Sequence, residues 1–206
     1  MNTISPTVAS TKHGIILILA AIMPVMAVIS LVPVLPMLLE EFKHISGYEV
    51  LVPIAMTIPA LCVAVFSPIA GSLSDKFGRK SLLIFALLIY SAVGVLPYFL
   101  ESLSHIIVSR IFLGITEAVI MTIATALIAD YFIGKERQKW ISIQIASVSL
   151  SAIFLIALGG MLGEVLGSRG PFVLYLLALP VALLVALNLF EPKVRANEDK
   201  QLTGFP

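Results

Sequence analysis

The chain has 206 residues, of which 59% are hydrophobic and only 12% charged, with a mean hydropathy of +1.07 and a net charge of +1. Those values exclude a water-soluble globular domain of this size and place the chain in a bilayer. The net charge carries no topological information, because sidedness is read from how Lys and Arg are distributed between loops.

After an N-terminal segment, residues 1–13, the first apolar stretch runs from Gly14 to Leu39. It is far longer than a signal-peptide core, no basic region precedes Lys12 and no small-x-small cleavage pattern follows, so it is read as a span and not a leader. Ten residues, EEFKHISGYE, lead to the second stretch, Val50–Ser74. It holds the single cysteine, Cys62, so no intrachain disulfide and no Cys/His metal cluster is expected. Prolines 24, 33, 36, 53, 59 and 68 concentrate in these two stretches, where missing backbone donors permit kinks.

The segment GSLSDKFGRK, residues 71–80, packs an acid and three bases into a short connection before the third span, Ser81–Leu100. By its own chemistry, Gly71 allows close helix contact, Gly78 can take the positive φ of a tight reversal, and Asp75 can accept backbone N–H bonds or cap a helix.

The fourth span, His105–Ala129, is interrupted by Arg110 and Glu117, and the stretch ends at Asp130. Arg110 and Glu117 are seven residues apart, so they share a helical face about 10 Å apart along the axis and do not touch unaided. Ionisable groups at depth are costly, and both are expected to face a polar cavity. Glu117 is a candidate to bind a proton or a cationic substrate group, and Arg110 to orient it or to bind an anion. Gly114, Ala118, Thr122 and Ala126 make a small-residue stripe suited to close helix packing.

The loop DYFIGKERQK precedes the fifth span, Trp140–Gly163, in which Gln144, Ser147 and Ser151 fall on one face and either line a polar cavity or bond a neighbouring helix. The sixth span is Gly170–Phe190, and the polar residues 191–206 read as a solvated tail or the start of a linker. Spans of this length, roughly twenty residues each, give six transmembrane helices. His13, His44 and His105 lie near span ends and no nucleophile–base pair or HExxH pattern lies at depth, so neither enzymatic chemistry nor a cofactor is expected.

Lys12, Lys76, Arg79, Lys80, Lys135, Arg137, Lys139, Lys193, Arg195 and Lys200 fall on one side of this six-span topology, against Lys43 and Arg169 on the other. Both termini and the GSLSDKFGRK loop are therefore expected in the cytoplasm, in a multi-pass protein of the cell membrane, specifically a bacterial inner membrane. The spacing of the basic loops is explained by topology, so they call for no nucleic acid partner.

Displacing the sequence by 89 residues sets Gly160, Leu162, Glu164, Gly167 and Arg169 under Gly71, Leu73, Asp75, Gly78 and Lys80. The copy lies three crossings further on and hence on the opposite face, the pattern of a 3+3 inverted repeat.

Gly71, Leu73, Asp75, Gly78, Arg79 and Lys80 between the second and third spans resemble the loop signature, motif A, of the major facilitator superfamily, with Lys76 where Arg is usual. Arg110, Gly114 and Ala118 are similar to a second family pattern, R-x-x-x-G-x-x-x-A, in the fourth span. Gly159–Gly160 are present in the fifth, but Leu155–Ile156 stand where the drug-antiporter branch usually has Gly-Pro, which weakens the case for proton-coupled drug export.

The resemblance implies an all-α membrane fold, half of a twelve-helix carrier, that moves a small organic solute, drug-like in character, by alternating access. It implies a conformational gate at Gly71, Asp75, Gly78, Arg79, Lys80 and Asp130, with Asp130 as the partner of Arg79. Gate contacts of about 1–3 kcal/mol each shift a two-state equilibrium tenfold or more. Arg110, Glu117 and Gln144 are the candidates for substrate or proton binding. The expected partners are a small-molecule substrate, protons, the lipid bilayer, and a second six-helix half or a homodimer partner. The rival expectation is a non-transporting membrane-interaction protein, or an inactive fragment, that pairs with another six-helix half.

Overall fold

The computed structural model describes residues 9–192. Its elements are α1 (Thr11–Ile29), α2 (Leu35–Glu41), α3 (Tyr48–Phe77), α4 (Arg79–Val95), α5 (Leu103–Tyr131), α6 (Gly134–Leu166) and α7 (Ala178–Asn188). Three 3₁₀ segments, Val32–Val34, Leu96–Tyr98 and Gly170–Leu177, join or extend them. Among the described residues there is no strand, and six helical units are long and apolar enough to cross a membrane.

The first unit, Thr11–Glu41, is broken in the middle. Helix α1 runs through the buried Pro24 but stops at Ile29, ahead of Pro33 and Pro36. These two prolines withhold backbone donors, so the chain passes through a 3₁₀ turn before α2 resumes. The buried Ser30 hydroxyl donates to the Met26 carbonyl at 2.6 Å, and a Cβ placed on Gly159 of α6 would run into the Ser30 carbonyl. The prolines of α3 behave differently: Pro53, Pro59 and Pro68 all lie inside one uninterrupted 30-residue helix.

Packing follows the inverted repeat. Helix α3 lies along α5 as α6 lies along α1, α4 packs on α5 as α7 packs on α1, and α4 meets α7. Exchanging spans one to three with four to six maps the first two contacts onto each other, the next two onto each other and the last onto itself, and because three crossings separate the halves the body is a 3+3 inverted repeat. The central helices carry the core: Leu17, Met26, Leu113, Ile120, Ile123 and Leu127 are completely or almost completely buried. Lateral spans are far more open, with 11% of the apolar window of α6 and 28% of that of α3 buried, against 56% for α5.

The small stripe of α5 does what close packing requires at one of its positions. A Cβ on Gly114 would sit 2.6 Å from the Cys62 side chain and 2.7 Å from the Pro59 backbone, so α5 and α3 touch nearly backbone to backbone there. Gly71 departs from expectation. A Cβ there would meet Thr122 at an ordinary 3.9 Å, and close helix contact at that point does not depend on glycine.

Lys12, Lys76, Arg79, Lys80, Lys135, Arg137 and Lys139 lie at the same end of the bundle, here called the basic face, and Lys43 and Arg169 at the other. At the basic face His13 packs edge-on against Tyr131 and Phe190, whose rings stack on each other 4.3 Å apart, tying α1, α5 and the end of α7 together.

Candidate functional site

At the basic face the hairpin between α3 and α4 turns at Gly78, with φ of +89°, a conformation that favours glycine. The turn delivers Arg79 to the first position of α4, pointing at two acids. Its Nη1 donates to Asp130 Oδ2 at 2.6 Å, at the end of α5, and its Nη2 to Asp75 Oδ1 at 2.9 Å, in the last turn of α3. Nη1 also reaches the Ala126 carbonyl at 3.4 Å. Three helix ends meet on one guanidinium, about a quarter exposed, whose planar fork suits two carboxylates at once.

Asp75 therefore pairs with Arg79 and does not serve as the helix cap, because another carboxylate holds that place. Glu191, beyond the end of α7, accepts the backbone N–H of Arg79 at 2.5 Å and that of Lys80 at 2.9 Å. Its carboxylate lies over the N-terminus of α4, where unpaired N–H groups and the helix dipole attract an anion. A Cβ on Gly78 would stand 3.1 Å from the Glu191 carboxyl carbon, so the bare turn admits this acid. Sequence reasoning missed Glu191 because nothing local marks it among the polar residues that follow the last span.

The second cluster is inside the bundle. Arg110 is 1% and Glu117 3% exposed, both on α5 as their spacing requires. Among the described residues no ion pair joins them directly. Arg110 instead donates from Nη1 to the Tyr175 hydroxyl at 2.7 Å, and its guanidinium lies 4.6 Å from the ring of Phe172 and 5.2 Å from that of Tyr175. Local geometry makes this possible. Residues 170–177 are wound as a 3₁₀ helix, in which positions three apart eclipse, so Phe172 and Tyr175 project to the same side.

Tyr175 needs room, and Gly94 on α4 gives it: a Cβ there would enter the tyrosine ring. Next to it Tyr90 packs on Tyr175 with 5.2 Å between centroids and donates its hydroxyl to the Met23 carbonyl of α1. Arg110 Nη2 and Glu117 Oε1 have no protein hydrogen-bond partner among the described residues. Buried polar atoms of this kind are rare and concentrate where a protein handles protons, ions or polar ligands. Neither aromatic partner was legible as such, although the spacing Phe172-x-x-Tyr175 after Pro171 is a faint sign.

Gln144 lies apart from that cluster. Its Nε2 donates to Thr125 Oγ1 at 3.1 Å, bonding α6 to α5, while Ser151 satisfies itself on the Val148 carbonyl. Of the two readings of this stripe, bonding between helices is realised at Gln144.

A membrane body of two inverted three-helix repeats, with a charged hairpin pinned at one face and an ionisable pair buried at depth, has the architecture of one six-helix half of a secondary-transporter fold. The chain belongs to the Major Facilitator Superfamily, whose model matches residues 17–205. It is similar to Multidrug resistance protein 1 of Bacillus subtilis (strain 168), 36% identical over 174 residues, covering 84% of this chain and 43% of that protein. The class B Tetracycline resistance protein of Escherichia coli is 30% identical over 196 residues, covering 94% of the chain and 48% of that protein. Quinolone resistance protein NorB of Staphylococcus aureus (strain Newman) is 31% identical over 169 residues, 81% of the chain and 35% of that protein. The chain thus spans less than half the length of these relatives.

Proposed function

We propose that the chain is the first half of an alternating-access exporter of small, drug-like organic solutes, coupled to protons through Glu117. A second six-helix half, joined in the same protein or supplied as a partner, completes the transport path. The observation that carries the reading is Glu117 itself: a carboxylate 3% exposed at the middle of a span, with one oxygen unpartnered by protein and an arginine two turns away on the same face. A group so placed gains or loses a proton only when an access route opens, which is what coupling to an alternating cycle requires. The names of the relatives, resistance proteins for several drugs, support the substrate class.

In this reading the basic face is cytoplasmic, as the distribution of Lys and Arg favours. Asp75, Arg79, Lys80 and Asp130 with Gly71 and Gly78 form the gate at that face, closed while the carrier opens outward. Arg110 orients the region around Glu117, and Gln144 keeps α6 registered on α5 beside the path. The wide exposure of α3 and α6 supports a second half seated against these spans. A chain that only pairs with a complete carrier is the rival reading, supported by its coverage of less than half of its relatives.

The test is transport in everted membrane vesicles bearing the protein as encoded, with ethidium and tetracycline as probes. Uptake driven by an imposed pH gradient is expected, and Glu117→Gln abolishes the dependence on that gradient. Unchanged uptake and unchanged pH dependence in Glu117→Gln overturn the proton role, and no uptake by the wild-type protein favours the rival.

A further inference from the structure

The gate at the basic face has a second copy at the opposite face, and its chemistry extends well beyond the hairpin that first suggests a repeat. The copy of the hairpin turns at Gly167, with φ of +81°, as the original turns at Gly78 with φ of +89°. The same 89-residue displacement carries Glu41, at the end of α2, onto Asp130, at the end of α5. It carries Arg79 and Lys80 onto Ser168 and Arg169.

Ser168 meets Glu41 as its counterpart Arg79 meets Asp130, while the charge that Arg79 supplies at the basic face comes here from the neighbouring Arg169, the counterpart of Lys80. Arg169 donates to Glu41 Oε1 from Nε at 2.8 Å and approaches it with Nη2 at 2.6 Å, and the Ser168 hydroxyl donates to Glu41 Oε2. The third contact is mirrored in position, although a side-chain donor replaces the side-chain acceptor. At the basic face the hairpin is held by Glu191, past the end of the sixth span; at the opposite face Arg169 Nη1 donates to the Leu100 carbonyl, past the end of the third. Each junction therefore pins a turn between two spans to the end of one helix and to the exit of another. Arg169 and Glu41 are about one-fifth and one-third exposed, comparable with Arg79 and Asp130, so both pairs are partly desolvated.

We infer that Glu41, Ser168 and Arg169 form a second gate-positioning junction, which favours the state closed at the face opposite the basic loops. The sign follows from symmetry. An inverted repeat exchanges the two faces, and with them the two access states, so a contact that favours closure at one face has an image that favours closure at the other. A contact changes the balance of states only through its difference between them, and these two junctions bias the balance in opposite directions. The inference deepens the gate reading above and rests on it for the notion of two access states.

The experiment uses the full protein in oriented vesicles, with the exposed Thr57 of α3 replaced by cysteine as a reporter toward the opposite face and Ser72 as one toward the basic face. Labelling rates with a membrane-impermeant maleimide are compared in wild type, Arg169→Gln, Glu41→Gln and Arg79→Gln. Arg169→Gln and Glu41→Gln are expected to raise labelling at position 57 relative to 72 several-fold, and Arg79→Gln to change the ratio in the reverse direction. No change in Arg169→Gln and Glu41→Gln, or a change in the same direction as Arg79→Gln, overturns the inference. Arg79→Gln leaving the ratio unaltered counts separately, against the gate reading. Should a single variant fail to fold, the exchanged pair Glu41→Arg with Arg169→Glu restores attraction. It is expected to return the ratio toward wild type, and a folded exchanged pair that labels like an unpaired single variant also overturns the inference.

Discussion

Arg110 reaches across from α5 to the hydroxyl of Tyr175, 2.7 Å from its Nη1, so the most deeply buried cation among the described residues is fastened to the sixth span. The bond is made by a neutral acceptor, which leaves the charge of Arg110 uncompensated except by the two aromatic faces beside it and the field of Glu117. A cation held this way is free to respond when the protonation or ligation of its neighbour changes, more so than one locked in a direct ion pair.

Tyr175→Phe tests that fastening. The ring and its stacking survive while Arg110 Nη1 loses its acceptor, and a buried donor left unpaired costs about 1–3 kcal/mol. The melting temperature in detergent should fall by several degrees, and the pH profile of transport should shift. A fall in stability without any change in the profile would mark Tyr175 as structural only.

Gly94→Ala should be more damaging than its size suggests. The added methyl enters the ring of Tyr175, a rigid group that cannot fold away, so Tyr175 moves from Arg110 or α4 moves from the 3₁₀ segment. Overpacking of this kind costs about 1–3 kcal/mol, and thermal unfolding of the purified protein measures it. Gly71→Ala is the control, since the space there is open to Thr122.

The spans were legible because apolar runs of spanning length separated by charged loops have few alternatives. Gly78 and the pairing of Arg79 with Asp130 were legible too, the first from turn chemistry and the second from the resemblance. What escaped were contacts made by tertiary packing. The break at Ser30 depends on the approach of Gly159 as well as on prolines, and the 3₁₀ winding before α7 accompanies two rings that converge on Arg110. Glu41 escaped because the similarity that marks the repeat is confined to ten residues of hairpin, whereas the partner acids lie at helix ends far away in the chain.

Glu191→Ala is expected to loosen the basic-face hairpin without touching the Arg79 ion pairs directly. Losing the acceptor of two helix N-terminal donors costs about 0.5–1 kcal/mol at a partly exposed site. Hydrogen exchange at the amides of Arg79 and Lys80 should quicken several-fold, while Glu191→Asp, one methylene shorter, should recover part of the protection.

Asp130→Asn should weaken the proposed gate more than Asp75→Asn. The Asp130 side chain is 29% exposed where it meets Arg79, against 63% for Asp75, and solvent screens the more exposed pair to near insignificance. Transport rates of the two variants, with Arg79→Asp/Asp130→Arg as the restored pair, give the comparison. Equal losses would indicate that Arg79 draws on both acids as a single network.

The overwound stretch at Gly170–Leu177 has a further effect, on length. A 3₁₀ turn rises about 2.0 Å per residue against 1.5 Å for an α-helix. The sixth unit, only 19 residues from Gly170 to Asn188, thereby extends to about 32 Å, where an α-helix throughout would reach about 28 Å. A hydrocarbon core of about 30 Å lies between these two values. The winding that turns Phe172 and Tyr175 toward Arg110 thus also lets the shortest of the six units match the thickness of the membrane, and unwinding it to α would draw one end of the span below the surface.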